Sequence, residues 1–282
     1  MHLIFWKPDL DTVLAASFAG ATSEDRLENV CGEAPTAFLN NPRVICIECG
    51  GSGQTHLNNF DHHTGEVPLP PACVQAMMVF GRSSPTDKML CDYVEAVDLG
   101  LPRGAKNEAV QLAAVHSGIR MSHPDSVVQF RRGIELISVL REKNIDPRDL
   151  SPAICADPHW EHYAIIAKKY RNTLERQADK IVQLHTTKGR TALFLRSPLP
   201  GVHGLLRRNG AQISIAMGLA GAEHVSISVA PEAKEDLLDL LKKLSTLENG
   251  WGGPTGGTII ASPPHGSRIP AHTLLKMILK TC

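Results

Sequence analysis

Acidic and histidine side chains recur where apolar segments of the chain end. Two aspartates follow the first apolar run, a glutamate ends the second, an Asp-His-His triplet comes soon after, and another aspartate closes a helical stretch. These residues are Asp9, Asp11, Glu48, Asp61, His62, His63 and Asp98. Carboxylates and imidazoles that converge suit a divalent cation such as manganese. Because neighbouring carboxylates repel one another without a cation between them, the pattern favours a metal site over an empty acidic cluster.

Each of these residues, taken alone, has a simpler explanation. Asp11 would serve as a helix cap, and Asp98 as a solvated acid at a helix end. His62 and His63 would be loop histidines on a turn. Glu48 is harder to explain in this way, because a carboxylate at the end of an apolar strand needs a partner. The prediction of a metal site therefore rests on convergence rather than on any single residue.

The elements that would bring these residues together alternate between strand and helix. Short apolar runs at 2–6 and 43–49 are typical of buried parallel strands. Apolar spacing or an acidic cap predicts helices at 11–19, 87–97, 106–118 and 124–143. The alternation predicts an α/β fold with a doubly wound, mainly parallel sheet in the N-terminal half. Ligands of such sheets bind beyond the carboxyl ends of the strands, where the acids and histidines are expected.

The C-terminal half predicts a second, smaller α/β domain. Residues 144–158 hold three prolines without periodicity and are interpreted as a hinge, followed by a polar helix from about 159 to 185. Beyond it, strands are predicted at 191–196, 211–217, 224–229 and 258–261, and helices at 231–245 and 270–280. The predicted divisions are a metal-binding domain at 1–145, a linker and connecting helix at 146–186, and a second domain at 187–282. The active site is expected in the cleft between the domains.

Composition excludes several classes of partner. The chain has 29 basic and 29 acidic residues, so a whole-chain grip on long duplex nucleic acid is not expected. No apolar run is long enough to span a bilayer. Seven cysteines with irregular spacing indicate reduced thiols and a cytoplasmic location. Cys46 and Cys49 have redox-type spacing but stand inside a strand-like run, which disfavours a redox or zinc role.

The ordered set of motifs resembles the DHH phosphoesterases over nearly the whole chain. This family includes RecJ-type exonucleases, nanoRNase-type oligoribonucleases, cyclic-dinucleotide phosphodiesterases and a class of manganese pyrophosphatases. Residues 7–11 (KPDLD) match its first motif, Glu48 its second, the triplet at 61–63 its third and Asp98 its fourth. Residues 250–254 (GWGGP) resemble the glycine-rich loop of the DHH-associated domain.

The resemblance implies a pair of metal ions. Asp9 and Glu48 would bind the first ion. The ligands of the second ion would be Asp11, Glu48, His62 and Asp98, with Glu48 as the bridge. A metal-activated water would be the nucleophile, because coordination lowers its pKa.

The resemblance also implies roles around these ions. His63 would face the scissile phosphate, and Asp61 would orient a histidine. Backbone amides of the glycine-rich loop would approach the substrate. The residues expected to bind substrate are Trp251, Gly252, Gly253, Thr255, Gly256, Arg207 and Arg208.

Several positions depart from the family pattern. Lys7 replaces the first-motif histidine, Glu48 replaces an aspartate, and Gly253 stands where the glycine-rich loop has a histidine. Residues 226–228 (SIS) stand near the position of a Ser-Arg pair in the family. An ammonium of Lys7 at the first metal position would neutralise nearby acids as a cation does, which predicts one firm metal site and a weak or missing second one. The alternative for Lys7 is a surface ion pair.

These features predict a manganese-dependent phosphoesterase that hydrolyses a small nucleotide or a short oligonucleotide, with magnesium as the alternative ion. A pyrophosphate-type substrate, or a nucleotide-binding protein with weakened turnover, is the alternative function. Trp251 would either stack on a base or pack its loop onto the domain. Arg207 and Arg208, with Lys188 and Arg190, would either grip a phosphate or form a solvated face. A homodimer is left open.

Overall fold

The chain folds into two compact units, Met1–Lys169 and Tyr170–Cys282. The computed structural model describes residues 1–63, 69–99, 101, 104, 109–218, 224–253, 258–263 and 265–282. Each unit contains its own sheet, of four and five strands respectively. The boundary between the units falls within one helix, His159–Glu175. None of the helices in the described ranges has both the length and the hydropathy that a bilayer span needs.

The first unit is built on a parallel sheet. Its strands are β1 (His2–Phe5), β2 (Arg26–Asn29), β3 (Val44–Ile47) and β4 (Asn59–Phe60). They are ordered β2-β1-β3-β4, and each adjacent pair is parallel. The helices are α1 (Leu10–Phe18), α2 (Thr36–Leu39), α3 (Ala72–Val79), α4 (Pro85–Asp98), α5 (Leu112–Ser122), α6 (Ser126–Glu142), α7 (Ser151–Ala156) and α8 (His159–Glu175).

Strand β1 is apolar on both faces because the sheet is covered on both sides. Leu3 and Phe5 belong to the main core with residues of α1, α4 and α6, and the ring of Phe5 stacks on that of Phe130 at a centroid distance of 4.3 Å. Ile4 points the other way into a smaller cluster that includes Leu39 of α2. This arrangement explains the continuous apolar runs and confirms the predicted parallel sheet.

The second unit has a mixed sheet. Its strands are β5 (Val182–His185), β6 (Thr191–Arg196), β7 (Ile213–Met217), β8 (Val225–Val229) and β9 (Ile259–Ala261), in that spatial order. The pair β6–β7 is parallel and the other three pairs are antiparallel. Its remaining helices are α9 (Val202–Arg208), α10 (Lys234–Leu247) and α11 (Ala271–Thr281). Residues of α10 and α11 pack with one apolar cluster of the sheet, and residues of α9 with another. The predicted α/β class is therefore confirmed.

Some element limits differ from those expected. The helix predicted to reach residue 185 ends at Glu175, and β5 follows it. The segment interpreted as an irregular hinge contains the short helix α7. The helix predicted from 106 begins at Leu112, and residues 106–108 lie outside the described part of the chain. A short helix such as α7 spans too few residues to show an apolar period, and a pattern does not fix the residue at which a longer helix ends.

Candidate metal centre

Asp11 is buried at the start of α1 and contacts the start of α3. Its side chain accepts hydrogen bonds from the backbone amides of Ala72 and Cys73, both at 2.8 Å, and only 2% of the residue is exposed. The helix cap of α1 is Asp9, whose carboxylate accepts from the Thr12 amide at 3.1 Å. Asp11 therefore does not cap α1, and its carboxylate accepts from the first amides of α3. Asp11 is instead a carboxylate fixed in the interior, between two helices.

Glu48 enters the site through an unusual backbone conformation. Strand β3 ends at Ile47, and Glu48 follows with a φ of 57°, a region that residues other than glycine rarely adopt. The chain then turns through Gly51, where a Cβ would lie 2.7 Å from the side-chain nitrogen of Asn59. Glu48 is 4% exposed, so the turn directs its carboxylate inward.

Asp61 joins the loops that follow β3 and β4. One of its carboxylate oxygens accepts from the Gly50 amide at 2.6 Å, and the other from the His63 amide at 2.7 Å. Asp61 is expected from the sequence to orient a histidine ring. It instead accepts a hydrogen bond from the backbone amide of His63 and so positions the loop rather than the ring. The carboxylate fixes the loop that presents both histidines beside Glu48.

The ring of His62 lies at the centre of the acidic residues. Its Nε2 atom is 3.3 Å from Glu48 Oε1, 3.7 Å from Asp98 Oδ2 and 4.0 Å from Asp11 Oδ2. His63 Nε2 contacts the other carboxylate oxygen of Glu48. Two sets of potential ligand atoms each lie within 4.8 Å of one another, Asp11/His62/Asp98 and Glu48/His62/His63. The structure therefore brings together five of the seven residues singled out at the strand and helix ends, and Asp61 supports them.

Two buried atoms in this cluster lack the partners that burial requires. Among the described residues, neither His62 Nε2 nor Glu48 Oε1 has a hydrogen-bond partner, although the two atoms are 3.3 Å apart. Buried polar atoms without partners are costly, and a cation between the nitrogen and the oxygen would satisfy both. The mixed carboxylate and imidazole donors suit manganese, and they fit a divalent metal ion at this position.

The shifted pKa values of Asp11, Asp98 and His62 show that the cluster carries excess negative charge. Burial, with the charge of Glu48 adding to it, raises the pKa of Asp11 to about 7. Burial also raises the pKa of Asp98. Burial lowers the pKa of His62, but contact with Glu48 and the charges of Asp11 and Asp98 outweigh it and raise the pKa to about 9. Without a metal, the site therefore holds a proton on His62 where a cation would otherwise balance the acids.

Similarity to solved structures is confined to the fold. No protein-family model and no curated protein matches the sequence. A pGpG-specific phosphodiesterase from Vibrio cholerae is 12% identical, with 98% of this chain and 99% of that chain covered and a TM-score of 0.57. A DHH domain from a member of a family of ribosomal proteins is 14% identical, with 99% of this chain and 87% of that chain covered and a TM-score of 0.59.

The chain has a DHH-type fold. Both alignments run over nearly all of this chain, so they include both units. The resemblance inferred from the sequence motifs is confirmed at the level of the fold.

The first-motif residues of this DHH-type unit are arranged differently from the expectation. Lys7 is exposed, and its ammonium lies over the Trp6 ring, 3.9 Å from the centroid, rather than among the acids. Asp9 belongs to neither set of clustered ligand atoms found in the described residues. Burial and the charge of Glu48 raise the pKa of Asp9, and the cation that opposes them is Arg120. The expectation that the Lys7 ammonium takes the place of a metal ion at the first site is therefore wrong, because the ammonium lies over the Trp6 ring.

His116 is a buried residue near the first motif that sequence reasoning missed. Burial, with Arg120 adding to it, lowers its pKa to about 3, so the ring is neutral, and it hydrogen-bonds to the backbone of Pro8. Its Nε2 atom has no hydrogen-bond partner among the described residues. A single histidine inside an amphipathic helix gives no sequence signal that separates such a position from a surface one.

The tryptophan of the glycine-rich loop is packed into the second unit. Trp251 is 6% exposed, and its Nε1 donates to Glu248 at 2.9 Å. The packed ring favours the alternative in which Trp251 fixes the loop to the domain, over the one in which it stacks on a base. Gly252 pairs with Ala261 of β9 through two backbone hydrogen bonds, and a Cβ on Gly253 would overlap the carbonyl oxygen of Ile259. Thr255 and Gly256 lie outside the described residues.

The basic residues expected to hold a phosphate are engaged within the second unit. Arg207 donates to Ser228 Oγ at 2.6 Å and to the Val229 carbonyl at 2.8 Å. Arg208 forms an ion pair with Glu175. Lys188 and Arg190 both pair with Asp236. These contacts favour the alternative in which the arginines and lysine belong to the surface of the domain.

Proposed function

We propose that this chain is a metal-dependent phosphoesterase that hydrolyses a phosphodiester or phosphoanhydride bond of a small nucleotide or short oligonucleotide. The observation that carries the proposal is the buried pair His62 Nε2 and Glu48 Oε1. Neither atom has a hydrogen-bond partner in the described part of the chain, and His62 Nε2 lies within 4.0 Å of both Asp11 and Asp98. The fold supports it, since one of the similar structures is a pGpG-specific phosphodiesterase. The mixed nitrogen and oxygen ligands favour manganese over magnesium.

Some residues of the clustered site would bind the metal ion, and His63 would contact the substrate. Asp11, His62 and Asp98 would bind the ion, with Glu48 as a further ligand. Manganese, when bound, would polarise the phosphoryl oxygens and lower the pKa of a water molecule. His63 is partly exposed and contacts Glu48, whose charge outweighs burial and raises the pKa of His63. The His63 ring would place a hydrogen-bond donor beside the scissile phosphate.

A nucleotide-binding protein with weakened turnover is the second candidate. The observation that favours it is the arrangement of the first motif, because Asp9 is used as a helix cap and lies in neither set of clustered ligands of the described chain. A site that binds one ion would retain substrate affinity but stabilise the transition state less than a pair of ions does. The Lys7→His variant tests this candidate, since a new imidazole ligand beside Asp9 would raise turnover if the first ion limits it.

The decisive experiment measures metal content and hydrolysis together. Chelator-treated protein is supplied with Mn²⁺ and assayed on pGpG, on short oligonucleotides and on pyrophosphate. We expect turnover of the nucleotide substrates, and activity more than about 100-fold lower in His62→Ala and Asp98→Asn. Loss of a residue that only supports a metal ligand already lowers activity by about 10–100-fold, and loss of a ligand itself should lower it further. Asp92→Asn is the matched control, as Asp92 is an exposed acid on the same helix as Asp98.

The possible results separate the two candidates. Mn²⁺ binding with turnover that both ligand variants abolish supports the phosphoesterase. Mn²⁺ and nucleotide binding without turnover supports the binding protein. A wild-type chain that binds no Mn²⁺, or activity that survives both ligand variants, would overturn the proposal.

A further inference from the structure

A second group of histidines surrounds a buried tyrosine in the first unit. His123 directly follows Ser122, the last residue of α5, and His159 and Tyr163 are one turn apart on α8. Tyr163 is 2% exposed, and its hydroxyl oxygen is 3.1 Å from His123 Nε2 and 3.1 Å from His159 Nε2. Three atoms of metal-ligand type therefore meet at one point, on residues that the proposed hydrolysis does not use.

The Tyr163 hydroxyl can serve both rings at once. A phenol has one proton and can also accept hydrogen bonds, so Tyr163 can donate to one imidazole and accept from the N–H of the other. Neutral imidazole nitrogens are the form that binds metal ions.

The spacing of these atoms matches the spacing of ligands around one ion. Nitrogen and oxygen ligands of tetrahedral zinc lie about 2.0–2.2 Å from the metal, which places neighbouring ligand atoms roughly 3.3–3.5 Å apart. The two edges from Tyr163 Oη to the nitrogens are 3.1 Å each. These two edges are therefore close to the spacing that a single ion would require.

The surroundings permit a cation to enter. His159 is exposed, so the group opens to solvent on that side. The nearby guanidinium of Arg132 is paired with Glu135 at 2.7 Å, which offsets its repulsion of a metal. Burial raises the pKa of Tyr163, so the phenol keeps its proton until an ion displaces it.

We propose that His123, His159 and Tyr163 form a second metal site, selective for an imidazole-preferring divalent ion such as Zn²⁺. Two nitrogens and one phenolate make this site richer in nitrogen than the candidate metal centre, where carboxylates dominate, so the two sites would sort metal ions by ligand type. Binding forms two Zn–N bonds and one Zn–O bond and releases the Tyr163 proton to solvent. The bound ion would tie the end of α5 to the first turns of α8. The inference does not depend on the proposed hydrolysis.

The test removes the candidate metal centre and asks whether zinc still binds. The full chain carrying His62→Ala and Asp98→Asn is treated with chelator, and Zn²⁺ uptake is measured by elemental analysis and by calorimetric titration. We expect one Zn²⁺ per chain, and more than a 10-fold weaker dissociation constant when His123→Ala and His159→Ala are added. His185→Ala is the control, since His185 is an exposed histidine of the second unit.

The tyrosine is tested by counting protons. Titrations in buffers of different ionisation enthalpy give the number of protons released when Zn²⁺ binds. Tyr163→Phe keeps the ring and removes only the hydroxyl, so we expect it to fold, to bind Zn²⁺ more weakly and to release one proton fewer. Absence of Zn²⁺ binding in the background variant, or binding that survives the loss of both histidines, would overturn the proposal. Unchanged proton release in Tyr163→Phe would remove tyrosine from the ligand set.

Discussion

The acidic cluster of the first unit and the basic residues of the second unit are both predicted from sequence to handle phosphate chemistry, and they differ in how their charges are satisfied. In the cluster, His62 and Glu48 keep buried atoms without hydrogen-bond partners in the described chain. In the second unit, Arg208 pairs with Glu175, and Arg190 pairs with Asp236. Unsatisfied buried groups indicate a missing ligand, whereas paired surface charges need none. The chemistry is therefore expected in the first unit.

The largest effect should come from the tryptophan of the glycine-rich loop. Trp251→Ala leaves a cavity in the second unit and removes the hydrogen bond to Glu248, so the free energy of unfolding should fall by about 3–5 kcal/mol. Urea unfolding measures this change. Trp251→Phe retains most of the packing and should leave hydrolysis per folded molecule unchanged. A large loss of affinity for nucleotide in Trp251→Phe, with unaltered stability, would restore the stacking role and break the contrast between the units.

Substitution of Asp61, which supports the acidic cluster, should destabilise the protein nearly as much. Asp61→Ala leaves the amides of Gly50 and His63 without their carboxylate acceptor, at about 1.5–3 kcal/mol for a hydrogen bond to a charged group. We expect the free energy of unfolding to fall and Mn²⁺ affinity to fall with it. Asp61→Asn keeps one acceptor oxygen, so its stability and its Mn²⁺ affinity should lie between those of wild type and Asp61→Ala. Equal Mn²⁺ affinity in wild type and Asp61→Ala would show that the loop holds its shape without this residue.

The stability of the metal-free protein should depend on pH. The raised pKa of His62, about 9, means that its imidazolium stabilises the metal-free fold below about pH 6.5 and that this contribution is lost as pH rises through 9. The raised pKa of Asp11, about 7, makes its ionisation unfavourable to the same fold as pH rises towards 7. Metal-free stability should therefore fall from about pH 6 to about pH 9.

Mn²⁺ competes with these protons, so its stabilising effect should grow over the same range. At a free concentration about 100 times the dissociation constant, the gain is about 2.7 kcal/mol. Thermal unfolding with and without Mn²⁺, at about pH 6 and about pH 8.5, measures the difference. The same shift with Mn²⁺ at both pH values would contradict the assignment, and His62→Ala should show little shift at either.

The smallest effect is expected for the surface arginine. The Arg208–Glu175 pair is exposed on both sides, so Arg208→Ala should change the free energy of unfolding by less than about 1 kcal/mol. Nucleotide hydrolysis should be unaffected, with Arg208→Lys as the charge-preserving control. A loss of substrate affinity in Arg208→Ala that Arg208→Lys restores would move phosphate recognition back to the second unit.

Sequence reasoning is accurate where a residue's role depends on its place at the end of an element. Asp98 is expected at the end of a helix, and α4 ends there. The parallel sheet and the second α/β domain follow from apolar runs and are confirmed. Glu48 is expected to need a partner. Its carboxylate lies beside two histidines, yet its Oε1 atom forms no hydrogen bond within the described chain.

The roles that sequence reasoning misses depend on distant contacts. Whether Asp9 or Asp11 caps α1 depends on where α3 begins, 61 residues beyond Asp11. Lys7 has a long flexible side chain, and it contacts the Trp6 ring instead of the acids. The meeting of His123 with Tyr163 joins residues 40 apart, which no local period reveals. Such contacts are set by tertiary packing, which short-range patterns do not encode.

The close approach of Gly253 to Ile259 also bears on how this loop can change. The DHH resemblance places a histidine at this position, yet any side chain here would collide with the backbone of β9. Gly253→His would therefore not be a simple reversion, because the neighbouring strand would have to shift at the same time. Introducing a histidine at position 253 would therefore need coupled changes in β9.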